Sequence, residues 1–134
     1  MESENIVVAG TSNQSGIPLA KLSPDGQLLW TTVLPTGLVG TIEEIEAMPD
    51  DGVIVTATAN ADVVVARADA DGDLVWTNSD VVGGHARQSM YEPRGLTVND
   101  DGGFVIVGLG TTVRSIGGVI PNITDQGFIA KLDS

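Results

Sequence analysis

The chain has 134 residues, of which 42% are hydrophobic and only 4% aromatic, and it carries a formal charge of −12 with a pI near 4.1. Such acidity excludes electrostatic binding to nucleic acid or to an anionic membrane. The absence of cysteine excludes disulfides, thiolate metal sites and a cysteine nucleophile, and no apolar run reaches the roughly 18 residues that a spanning helix needs.

Seventeen glycines and six prolines favour short strands joined by turns. Residues 1–5 are acidic and polar and do not form a signal peptide. The expectation is that either the protein is not exported by that route or a leader has been removed. The first strand is expected over residues 6–11, a β-branched run. A second follows at 17–22, and the Asp25-Gly26 turn folds the chain back into a third at 27–34. Residues 42–47 have helical composition, but their place before the Asp50-Asp51-Gly52 turn predicts a strand. The same order returns at 53–58, 63–68, 73–77 and 94–98, and again at 104–108 and 128–132.

The return is periodic. Lys21 and Arg67, Asp25 and Asp71, and Trp30 and Trp76 are each 46 residues apart. The apolar strands that open each unit begin at Ile6, Val53 and Phe104, spacings of 47 and 51. A third copy of the Ala-Lys-Leu phrase stands at Ala130-Lys131-Leu132. The expected fold is all-β, built from four-stranded antiparallel units of about 46–51 residues. The unit boundaries fall at about 5–51, 52–102 and 103–134, within one domain over 1–134. Strands divide as four, four and two, or about 2.5 blades of a β-propeller. A closed propeller needs at least four blades, so the chain is expected to be part of a longer propeller or to complete its sheets with other chains. Two segments exceed the period, around 81–91 and 111–126, and are expected to be inserted loops.

Asp101-Gly102-Gly103-Phe104-Val105-Ile106-Val107-Gly108 and Phe128-Ile129-Ala130-Lys131-Leu132-Asp133 carry a family resemblance. They resemble the degenerate β-propeller repeats of bacterial and archaeal surface and secreted proteins, and are similar to quinoprotein-type blades. Departures are small: Ala57 replaces the glycine seen at Gly10 and Gly108, and Ser23 stands where Asp69 and Asp133 do. The resemblance implies that Trp30 and Trp76 dock one blade against the next.

Candidate chemistry is sparse. Asp69, Asp71 and Asp73 alternate like calcium ligands, with Asp80 at the twelfth position, making calcium the one cofactor the spacing suggests. Leu74 stands where such a loop needs glycine, which favours an ordinary hairpin turn. His85 is the only histidine, and no Gly-x-Ser-x-Gly elbow, P-loop or His-Glu-x-x-His occurs, so no catalytic residue is assigned. His85, Arg87, Tyr91, Arg94 and Arg114 gather the cations and aromatics favoured at interfaces, and are assigned to an interface. Asn13-Gln14-Ser15 and Asn122-Ile123-Thr124 are glycosylation sequons. The function expected is a non-enzymatic structural or interaction module of an extracellular or particle surface, assembling through exposed edge strands and inserted loops. Its partners would be copies of itself or other acidic surface subunits. The alternatives are a lectin-like propeller module that binds carbohydrate and a fragment of a larger propeller enzyme.

Overall fold

The computed structural model describes residues 4–11, 16–34, 41–59, 62–78, 89–116 and 120–133. These form ten strands and no helix: β1 (Ile6–Ala9), β2 (Ile17–Leu22), β3 (Leu28–Leu34), β4 (Thr41–Ala47), β5 (Val53–Ala59), β6 (Asp62–Ala68), β7 (Leu74–Asn78), β8 (Ser89–Val98), β9 (Phe104–Ile116) and β10 (Ile120–Leu132). All pairings are antiparallel, in three sheets ordered β1-β2-β3, β4-β5-β6-β7 and β10-β9-β8.

The strands therefore divide as three, four and three rather than four, four and two. The strand that closes each sequence repeat opens the next sheet. β4 is joined to β5, and β8 to β9, by tight hydrogen-bonded turns that bring the two strands to pair. A second correction concerns 111–126. These residues mostly extend β9 and β10 into a long hairpin, paired from Phe104↔Leu132 to Ile116↔Ile120, and are not an inserted loop. β8 likewise begins at Ser89, inside the other supposed insertion.

The backbone repeats as the sequence does. Val7↔Lys21, Ile54↔Arg67 and Val105↔Lys131 hold one register in the three sheets. Register shifts fall between Ile42 and Glu44 and, one repeat later, between Pro93 and Gly95. Four tight turns share one hydrogen-bond pattern. The amides of Ser23, Met48, Asp69 and Asn99 donate to the carbonyls four residues on, at 2.7–3.0 Å. Gly26, Asp51, Gly72 and Gly102 donate back, at 2.9–3.1 Å. The last four take positive φ of 87°, 66°, 89° and 83°, as a type I turn ending in a left-handed residue requires. Asp51 alone among them carries a side chain that this conformation disfavours.

Side-chain alternation along each strand sends successive residues to opposite faces. Val53, Val55 and Ala57 of β5 pack with Ile17, Leu19 and Leu34 of the first sheet. Ile54, Val63 and Val65 pack with Phe104 and Ile106 of the third. The second sheet is thus buried on both faces, which explains the apolar runs Val53-Ile54-Val55 of β5 and Val63-Val64-Val65-Ala66 of β6. Thr56 sits in this interior at the position of Ala9 and Val107, and its buried hydroxyl has no partner among the described residues. Replacing it with valine removes an unsatisfied polar group while keeping the shape. Thr56→Val is expected to raise stability by about 1 kcal/mol, read as a higher urea midpoint at unchanged slope.

Candidate interaction surface

The first sheet is locked to the second through the second sheet's turns. Lys21, on β2, has only 3% of its surface exposed. Its ammonium donates to Asp51 Oδ2 at 2.9 Å, to the Asp51 carbonyl at 3.2 Å and to the Ala70 carbonyl at 3.3 Å. Trp30, opposite Lys21 on β3, donates its indole N–H to the same Ala70 carbonyl at 3.0 Å. Its six-membered ring lies over Gly72, so close that a Cβ there would stand 3.0 Å from it. Trp76 faces the third sheet and stacks on Phe104, ring centroids 5.8 Å apart. Both tryptophans therefore sit at contacts between sheets.

Arg67, the counterpart of Lys21, pairs instead with Asp50 Oδ2 at 2.6 Å. Burial pulls the Asp50 carboxyl upward, but the Gly52 amide and the Arg67 guanidinium outweigh it and hold the group below its ordinary value. Asp69 Oδ1 accepts the amides of Asp71 and Asp73 at 3.0 and 2.9 Å. The Asp69–Asp71–Asp73 stretch is thus a hairpin turn whose first carboxylate caps its own backbone. Among the described residues no group of three or more acidic or histidine side chains is placed to hold a metal. Arg94 is exposed and pairs with Glu92 at 3.0 Å. Tyr91 and Arg114 fall on β8 and β9, and their side-chain contacts lie outside what is described. His85, Arg87, Asp80 and the Asn13 sequon lie outside the described residues.

Both outer faces of the stack expose apolar side chains, with Lys131 and Glu92 as charged exceptions on the third sheet. On the first sheet, Ile6 and Val8 point away from the second sheet while Val7 and Ala9 point into it. Val8, Pro18, Ala20, Thr31 and Val33 line a cleft of about 600 Å³ on that outer face. On the third sheet, Val107, Leu109 and Ile129 are exposed. These residues occupy repeat positions that are buried elsewhere. Val8 is 46% exposed, whereas its counterparts Val55 and Ile106 are fully buried. Ile129 is 78% exposed, whereas Leu19 and Val65 are at 3% and 0%. Sequence reasoning missed both faces. The signal was present in the repeat itself, because each position that faces the next sheet has counterparts at 46 and then 64 residues' distance.

Comparison with known protein families and with curated proteins finds no match to this chain.

Two substitution pairs test the lock. Gly26 and Gly72 share a left-handed φ, but a Cβ at Gly26 meets nothing within 4 Å. Gly26→Ala is expected to cost about 1 kcal/mol for the backbone alone. Gly72→Ala adds displacement of the Trp30 ring and is expected to cost about 2–3 kcal/mol, with the difference visible as a larger drop in Tm. Asp51→Gly relieves about 1 kcal/mol of backbone strain but removes the counter-charge of a buried ammonium, where a hydrogen bond contributes about 1.5–3 kcal/mol. It is expected to destabilise the wild-type protein and to stabilise Lys21→Met. A change of sign in that double-mutant cycle, measured by denaturant unfolding, is the readout.

Proposed function

We propose that this chain is a non-enzymatic structural and interaction module made of propeller-type blades. It acts by associating with like units at an extracellular or particle surface. The observation that carries this reading is the state of the two outer faces. Positions that are buried between sheets inside the stack are exposed and apolar at both of its ends. Contiguous apolar faces of this kind mark association surfaces. The propeller reading is supported by the face-to-face order of three antiparallel sheets, the second and third each opening with the strand that ends the preceding sequence repeat. Two copies would supply six sheets, within the four to eight blades of a closed propeller.

A net charge of −12 opposes association at low salt and keeps an assembly soluble. Burial of apolar faces is insensitive to this screening, so salt should favour the assembled form. Light scattering on a sizing column at low and high salt checks the reading. The expected mass is twice 13.8 kDa, with the dimer fraction growing as salt rises. A mass of 13.8 kDa at every concentration and salt tested contradicts it.

A further inference from the structure

We infer that the outer face of the third sheet docks on the outer face of the first sheet of a second copy, head to tail, in the register of the internal interfaces. This inference rests on the reading above and deepens it by naming the surfaces. They are sheet faces rather than strand edges, and two different faces rather than one face meeting itself.

The repeat supplies the complementarity. At the first internal interface, Leu19 and Lys21 of β2 meet the face of the second sheet that carries Val53 and Val55. At the second, Val65 and Arg67 occupy the corresponding places on β6 and Val65 meets Phe104 and Ile106. The third sheet presents the same pair again as Ile129 and Lys131, both exposed, beside Val105 and Val107 in unchanged register. The first sheet presents the matching receiver, Ile6 and Val8, at the positions of Val53 and Val55. Each end of the stack is therefore one half of an interface whose two complete versions already exist within the chain.

Charge agrees. The strand positions directed outward on the first sheet include Ile6, Val8, Ala20, Leu29, Thr31 and Val33, and none on that face is ionisable. Glu4 precedes β1 at the position that Asp51 holds before β5, so the cation Lys131 would meet a carboxylate and a turn carbonyl there, as Lys21 does. Lys21 finds the carbonyl of Ala70 in the β6–β7 turn, and the counterpart of Ala70 in the receiving sheet is Pro24, in the β2–β3 turn. The Pro24 carbonyl is the acceptor assigned to Lys131. In a pair related by a two-fold axis both third-sheet faces are covered by both first-sheet faces, and the six sheets close.

The experiment uses the full chain and three variants at exposed positions, Val8→Asp, Ile129→Glu and Lys131→Glu. Far-UV circular dichroism and melting curves establish that each variant is folded. The expected result is a wild-type dimer and a shift of Val8→Asp alone and Ile129→Glu alone to the 13.8 kDa monomer. An equimolar mixture of these two is expected to return to twice that mass, because it retains one intact interface. Lys131→Glu, which cannot disturb a core, is expected to raise the dimer dissociation constant at least tenfold. A wild-type monomer at all concentrations overturns both this inference and the reading it rests on. A wild-type dimer that both single variants leave intact, or a mixture that stays monomeric, overturns the head-to-tail docking while leaving self-association standing. Dimers formed by one variant alone would assign the contact to a face meeting its own copy, and overturn it as well.

Discussion

One carbonyl oxygen, that of Ala70, receives both the ammonium of Lys21 and the indole N–H of Trp30. This convergence is what orients the first sheet on the second. The apolar contacts between them are energetically larger, since burying a single valine or leucine side chain contributes about 1.5–3 kcal/mol. Those contacts are not directional, however, and flat faces of valine, isoleucine and alanine could slide past one another. A buried ammonium cannot, because every displacement strips it of acceptors it has no means of replacing. The polar latch thus sets the alignment that the apolar contacts then stabilise.

The latch explains an oddity of the turns. Three of the four left-handed positions are glycine, and the fourth is Asp51. A β-carbon there carries a strain of about 1–2 kcal/mol. In exchange the site gains the carboxylate that lies 2.9 Å from Lys21. Where Arg67 replaces Lys21 the guanidinium turns to Asp50 in its own sheet, and the counterpart of Asp51 reverts to Gly102. The covariation within one chain follows from where the cation finds its anion.

Layering decides what each strand must look like. β5 and β6 are covered on both sides and are mostly apolar, with Thr56 and Arg67 among the exceptions, whereas β4 and β8 carry Glu43, Glu44, Glu46, Glu92 and Arg94 and lie at sheet edges. Charge at the edges discourages strand addition there. β1 carries no charged residue, and the outward face of β10 carries Lys131.

Much of the fold was legible in the residues. Runs such as Val53-Ile54-Val55 and Phe104-Val105-Ile106-Val107, each entered through an Asp-Gly turn, specify strands and hairpins locally, because a three-residue turn leaves its flanking strands no choice but to pair. The strand at 41–47 was legible against its helical composition for the same reason. The grouping of strands into sheets was not, because the boundary of the sequence repeat does not coincide with the boundary of the sheet: β4 and β8 close a repeat but pair with the strand that follows. The extended β9–β10 hairpin was missed because Arg114, Pro121 and Asn122 read as loop chemistry, and cross-strand pairing over thirteen residues overrode it. The partner of Lys21 lies 30 and 49 residues away, at Asp51 and Ala70, and no local pattern connects them. Period and turn chemistry are short-range properties of the chain and could be read directly. Which face is covered, and by what, is long-range, and emerged only when the three sheets were stacked.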